Sequence, residues 1–318
     1  MNKVTTKKGE KTSYKVNHFK IVKDDFRRNW SLYLMILPVL VFYLIFMYKP
    51  MYGAIIAFKR FSPGLGIWGS PWVGFENFEY FFSNPDFIRI LKNTLKISLS
   101  LIIFGFPAPI ILTLMFNELK NQKFKRVAQS VSYMPHFISL VVICGLIKTF
   151  VADGSIIQQL VYFFDGKDGS LLNRAEAFLP IYVLSDIWQN IGWDCIIYLA
   201  AISGIDQQLY EAAQVDGAGK WKQMIHVTLP GLSPTIIIML ILRIGNILSV
   251  GYEKIILLYN PLIYETSDVI LSYVYRMGFE SRDWSYSTAV GLFNSVVNFI
   301  VIILANTVSK KVSETSLW

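Results

Sequence analysis

The sequence predicts an all-α, polytopic membrane protein, on three observations. Apolar residues make up 53% of the chain and charged residues only 16%, whereas a soluble domain carries about a quarter charged residues. Mean hydropathy is positive, at +0.44. Six apolar runs, near 31–49, 94–116, 131–152, 178–203, 233–260 and 285–308, match the length of about 20 residues that a helix needs to cross hydrocarbon. Barrel strands are excluded, because they alternate in polarity and need only about ten residues each.

Taken in order, residues 1–28 form a basic tail, and 29–318 form the transmembrane domain. Residues 1–30 hold nine lysines and arginines against Glu10, Asp24 and Asp25. The first run follows this tail, is long enough to span, and has no small-residue cleavage pattern behind it, so it reads as a retained span rather than a signal peptide. The loop 50–93 clusters Trp68, Trp72, Phe75, Phe78, Tyr80, Phe81 and Phe82, as a segment capping the protein at the membrane surface would. In the second run Pro107 and Pro109 follow Gly105 and should bend the helix, as a packing kink or as a gate hinge.

The loop 117–130 adds Lys120, Lys123, Lys125 and Arg126. By the positive-inside rule it belongs in the cytoplasm with the tail. Six spans then place both termini and 204–232 inside, and 50–93, 153–177 and 261–284 outside. Topology thus accounts for the net charge of +8, so no nucleic-acid partner is implied, and the tail's basic residues suit anionic lipid.

Cys144 and Cys195 fall inside apolar runs and read as small core residues. His18, His136 and His226 are scattered, without metal-ligand spacing. The fragment Gly217-Ala-Gly219-Lys220 lacks the rest of a phosphate-binding loop, with Gln214 and Trp221 where a glycine and a hydroxyl are needed. No nucleophile–base pattern is present. The sequence predicts no cofactor, no metal and no enzyme activity.

Polar side chains within spans are costly, and either bind helices together or line a pathway. Asp186, Gln189, Asn190 and Trp193 recur along one face of the fourth run; Arg243, Asn246, Ser249 and Glu253 do so in the fifth; Asn294 and Asn298 lie four apart in the sixth. Amide, carboxylate and indole groups suit a sugar's hydroxyls and ring hydrogens. Gln189, Asn190, Trp193, Arg243, Asn246 and Asn294 are the candidate substrate-contacting residues, with Arg243 a countercharge should the substrate be acidic.

Between the fourth and fifth runs lies a polar island, "EAAQVDGAGKWKQMIHVTLPGL" (211–232). Asp206 can cap a short helix that Gly217 ends, since glycine enters the left-handed conformation cheaply. A second short helix, near Lys220–Val227, should stop at Pro230, where the fifth span begins. Such an amphipathic helix-turn-helix either lies on the membrane or docks into a cytoplasmic partner.

Glu211-Ala212-Ala213, three residues, Gly217, nine residues, Val227, then Leu229-Pro230 resembles the signature loop of ATP-binding-cassette importer permeases. "LYLMILPVLVFYLIFMYKPMYG", "YMPHFIS", "LSDIWQNIGW" and "LYNPLIYETSDVI" look like the carbohydrate branch, so the resemblance covers nearly everything from residue 29. It implies a type I importer permease fold and a bacterial plasma-membrane location. Glu211, Ala212, Ala213, Asp216, Gly217, Ala218, Leu229 and Pro230 would couple to the ATPase. The implied partners are a cytoplasmic ATPase dimer, a second similar permease in a heterodimer, an extracellular solute-binding lipoprotein and an oligosaccharide. A permease for peptides or amino acids is the alternative within transport; an ATP-independent channel or secondary transporter is the alternative outside it, and would show internal repeats.

Overall fold

The computed structural model describes residues 25–313 and 315–318; most of the expected basic tail lies outside them. The chain divides into two units, one ending at Ile55 and the other starting at Ile56. The first contains helix α1 (Trp30–Tyr43), extended by a π turn at Leu44–Tyr48 and a short turn to Met51.

In the second unit the principal helices are α2 (Glu76–Ser83), α3 (Asp86–Ser100), α4 (Pro107–Glu118), α5 (Gln122–Tyr133), α6 (Leu140–Phe150) and α7 (Ile156–Asp165). They are followed by α8 (Ala175–Ser203), α9 (Gln207–Val215), α10 (Lys220–Gln223), α11 (Leu229–Gly245), α12 (Tyr252–Leu258), α13 (Ile270–Tyr275) and α14 (Trp284–Val312). Among the described residues the single strand-like feature is an isolated bridge between Lys59 and Trp72.

Four helical stretches are long and apolar enough to cross a membrane: Trp30–Phe58, Asp86–Glu118, Lys220–Gly245 and Trp284–Val312. A fifth is reached if Gln122–Phe137 and Leu140–Phe150, which meet at 98°, form one broken span. The expected third span is therefore not a straight helix. Pro135 sits in the 3-10 turn Met134–Phe137, and Ser139 starts α6 afresh by accepting the Val142 amide. The expected fourth span, α8, is one continuous helix of 29 residues, with Glu176, Asp186 and Asp194 lowering its apolarity.

The fifth span differs most from expectation. Its helix starts at Lys220 and ends at Gly245, not at 233 and 260. Residues 246–251 form a turn before α12, so Arg243, Asn246, Ser249 and Glu253 do not share a helical face. Pro230 does not break the preceding helix either. Three prolines, Pro50, Pro107 and Pro230, each follow a π turn by two residues: Leu44–Tyr48, Leu101–Gly105 and Met224–Thr228. A proline ring crowds the carbonyl one turn back and supplies no N–H. Inserting one residue into that turn moves the carbonyl aside, and the helix continues. The Phe106 amide accordingly donates to Leu101 O, five residues back. Pro38, Pro180 and Pro234 sit inside helices with no such turn.

Buried residues gather in three clusters. One joins α3, α6, α8 and α12 through Ile97, Ile143, Cys144, Phe178, Tyr182 and Ile255. A second, aromatic cluster sets Phe81, Tyr273 and Tyr286 around Ile90 and Val290. A smaller one, with Tyr198, Ile202 and Leu232, joins α8 to α11 beside the polar island.

Two polar fastenings hold the long loops. The Lys59 ammonium donates to the carbonyls of Ile67 (2.7 Å), Ser70 (3.2 Å) and Trp68 (3.4 Å), closing the loop before α2 around itself. Asp268, fully buried, accepts two hydrogen bonds from Arg276 (2.5 and 3.2 Å) and one from Ser272 Oγ (2.7 Å). Arg276 also stacks on the Tyr264 ring at 4.6 Å.

Candidate coupling loop and translocation cavity

The polar island folds as two capped turns. Asp206 accepts the Gln208 amide at 2.9 Å and starts α9. At the other end Gly217 has φ +75°. The Gly217 amide donates to Gln214 O (3.0 Å) and the Ala218 amide to Ala213 O (2.8 Å), the paired bonds of a Schellman closure. Gln223 Nε2 donates to Ala218 O at 2.8 Å, and the Tyr210 and Thr228 hydroxyls share a hydrogen bond of 3.0 Å. The two halves of the island are thereby tied to one another and to the π turn under α11.

Glu211, Ala212, Asp216 and Gly217 are exposed, and Ala213, Ala218 and Leu229 are half-buried. Val215 (88%) and Trp221 (73%) present large apolar groups outward. Sequence reasoning placed the capped helix correctly, and misjudged only the role of Pro230, which lies within a continuous helix.

A cavity of ≈ 260 Å³ opens between α4, α8 and α11, lined by Asp186, Asn190, Asp194, Arg243 and Asn246 with Phe106 and Tyr198 among its other walls. A second, of ≈ 250 Å³, is lined by Tyr182, Ser249 and Gly251 and shares Asp186, Arg243 and Asn246 with the first. The shared wall is a polar relay. His136 Nδ1 lies 3.1 Å from Asn190 Oδ1, Asn190 Nδ2 donates to Asp186 Oδ1 (3.3 Å), and Asp186 stands 3.9 Å from the Arg243 guanidinium. Asp186, Asn190 and Asp194 are successive turns of one α8 face, and α8 is fixed by packing on α4 and α5.

Of the six residues singled out from sequence, Asn190, Arg243 and Asn246 line the cavities. Trp193 stacks face to face on His136 (4.6 Å, 3°) with Phe137 edge-on at 5.5 Å. Asn294 is buried and donates to Ser249 Oγ at 3.2 Å, while Asn298 donates to the same oxygen at 2.8 Å; both fasten the turn 246–251. Gln189 lines neither cavity. Sequence reasoning overlooked Asp194, which continues the Asp186–Asn190 spacing by one more turn and was legible there. It also overlooked His136, whose partner lies 54 residues away.

Residues 105–314 match the family of binding-protein-dependent transport system inner membrane components. The chain belongs to this family. It is therefore a permease subunit of an ATP-binding-cassette importer, a multi-pass membrane protein with the type I permease fold, and not an enzyme, the ATPase being a separate subunit. Among this permease's relatives in Bacillus subtilis (strain 168) is protein LplB, 45% identical over 293 residues, 92% of either chain. Another is the polygalacturonan/rhamnogalacturonan transport system permease protein YteP, 45% identical over 289 residues, 90% of either chain. The permease also matches a chain of the bacterial alginate transporter crystallised with an alginate pentasaccharide-bound periplasmic protein. That match has 42% identity and a TM-score of 0.84, covering 92% of this chain and 99% of that one.

Proposed function

We propose that this permease carries oligosaccharides or polysaccharide fragments, delivered by an extracellular binding lipoprotein, and that it works as half of a heterodimer with a second, similar permease above an ATPase dimer. The observation that carries the reading is whole-length likeness, above 40% identity, to permeases named for polygalacturonan, rhamnogalacturonan and alginate. The cavity agrees: amide, carboxylate and guanidinium groups with an aromatic wall suit a polyhydroxylated chain. Arg243 stands beside Asp186 and so meets a substrate partly neutralised rather than as a free countercharge.

In this reading both termini and 204–232 lie in the cytoplasm, with residues 1–28 a basic tail and 29–318 the transmembrane domain, in which α8 is also a span. Glu211, Ala212, Ala213, Asp216, Gly217, Ala218, Leu229 and Pro230 form the loop that receives the ATPase stroke. Asn190, Arg243 and Asn246 contact substrate directly, while Gln189, Trp193 and Asn294 act from behind them. The test is ATP-dependent uptake of labelled oligosaccharides, neutral and uronate-containing, by the complete importer in proteoliposomes. Uptake of peptides or amino acids in their place, or uptake without ATP, would overturn the reading.

A further inference from the structure

Beside the second cavity, over the Tyr182 ring that lines it, lies a cation that none of the residues discussed so far accounts for. Lys254, on α12, is almost wholly buried, and among the described residues its ammonium has no hydrogen-bond partner. It lies over the Tyr182 ring, 5.4 Å from the centroid. Tyr182 and Asp186 are one turn apart on the same face of α8, both lining the second cavity. One face of α8 thus presents a carboxylate beside Arg243 and, a turn away, a ring that carries Lys254. Arg243 precedes the 246–251 turn and reaches Asp186 only at 3.9 Å. Lys254 follows the turn and lies over the Tyr182 ring, whose hydroxyl donates to Gly251 O at 3.2 Å.

An ammonium buried without an anion or a full set of acceptors is costly. An arrangement that keeps it is explained if the charge finds its anion in another state of the molecule, and an importer must occupy at least two. We propose that Asp186 changes partner during transport, from Arg243 to Lys254, which makes Lys254 a positioning residue of the translocation site. Exchange requires the Tyr182–Gly251 hydrogen bond to open and α12 to advance toward Asp186. That movement carries Gly251 and Ser249 across the second cavity and closes it. The Arg243 guanidinium is released in the same step to the first cavity, where Asp194 also stands. The proposal rests on this chain being an importer permease and not on the identity of the sugar.

The test uses the assembled importer with Cys144 and Cys195 replaced by alanine and the pair Asp186→Cys, Lys254→Cys introduced. Cross-linking by a short bis-methanethiosulfonate, which bridges two thiols across the reach of an Asp–Lys pair with loss of two sulfinates, is compared in the resting state and after trapping with ATP and vanadate. Efficient cross-linking in one state, at least about fivefold above the other, is expected; equal yields, or none in either, overturn the proposal. Should the cysteine pair fail to assemble, uptake by Lys254→Gln, Asp186→Asn and the double variant decides. A double variant no worse than the poorer single variant supports a shared step, and multiplied losses refute it. Lys254→Arg should recover at least half of wild-type uptake, as a role in packing alone would not require. A wild-type complex showing no ATP-driven uptake would instead count against the importer reading itself.

Discussion

A β-carbon at Gly192 would stand 2.1 Å from the carbonyl oxygen of Ser132 and 2.9 Å from the Tyr133 amide nitrogen. Helices α8 and α5 therefore meet backbone against backbone at that point, Gly192 two residues beyond Asn190 and Ser132 one turn before His136. Side chains can rotate out of a clash, but two helical backbones can only separate. Gly192→Ala should cost at least the 1–3 kcal/mol typical of overpacking, at about the upper end, and lower both the yield of monodisperse protein and its melting temperature. Gly145→Ala, with nothing within 4 Å, is the control and should melt like wild type. Equal melting of the two variants would refute the close crossing.

Gly217 tests the loop in a different way. Nothing lies within 4 Å of a β-carbon there, but φ is +75°, so the penalty of a side chain is conformational, roughly 1–2 kcal/mol. Gly217→Val should assemble yet lose most uptake and most stimulation of the ATPase by loaded binding protein. Gly217→Asn, which tolerates the left-handed region, should retain most of both. Normal coupling in the valine variant would show that the Schellman closure is dispensable.

Pro230→Ala restores an N–H and removes the reason for the π turn at Met224–Thr228. Converting that turn to α-helix deletes its extra residue and rotates everything before it by about 100° relative to α11. The Tyr210–Thr228 hydrogen bond would be lost with it. The expected outcome is a complex that purifies normally and melts no lower, but takes up substrate poorly. Full uptake would mean the turn is retained without the proline, which backbone hydrogen exchange at Leu229 can check.

Arg276→Lys keeps the charge on Asp268 but forfeits the two-point geometry. Because Asp268 is fully buried, losing one charge-assisted bond should cost about 1.5–3 kcal/mol, read as a lower melting temperature. Arg276→Met, which strands the carboxylate, should be worse, at roughly 3–5 kcal/mol. A methionine variant as stable as the lysine one would show that Arg89, 3.8 Å from the same carboxylate, suffices.

The cavity residues separate by readout. Asn190→Ala and Arg243→Ala should lower uptake about tenfold or more with little change in melting, since both line open space. Asn294→Ala should lower melting first, by about 1 kcal/mol, because its amide braces Ser249 in a buried position. The reverse pattern in transport and melting assays would reassign the pathway.

Much of this architecture was legible in the chain. Apolar runs, basic loops and the Asp206 to Gly217 caps are local signals, and they gave the helix-turn-helix; a coupling role for it rests on the family resemblance of 211–230 and not on those signals. The end of the fifth helix was not, because Ile247, Leu248 and Val250 pack into the interior through the 246–251 turn, and hydropathy cannot separate a buried turn from a spanning helix. The corner in the third span did leave marks, at Pro135 and Ser139, but within an apolar run they were outweighed. Gly192 carried no signal at all: its constraint is the carbonyl of Ser132, and only the packed helices bring the two together. Lys254 was hidden for the same reason, since its isolation is a property of its surroundings rather than of its neighbours in sequence.

The fastening of Lys59 has a consequence for surface chemistry. An ammonium enclosed by the carbonyls of Ile67, Trp68 and Ser70 is withheld from acylating reagents while the loop around it stays closed. Under brief amine modification the exposed Lys167 should react early and Lys59 late. The extent of Lys59 modification then becomes a direct gauge of whether the loop before α2 is intact in any preparation of the protein.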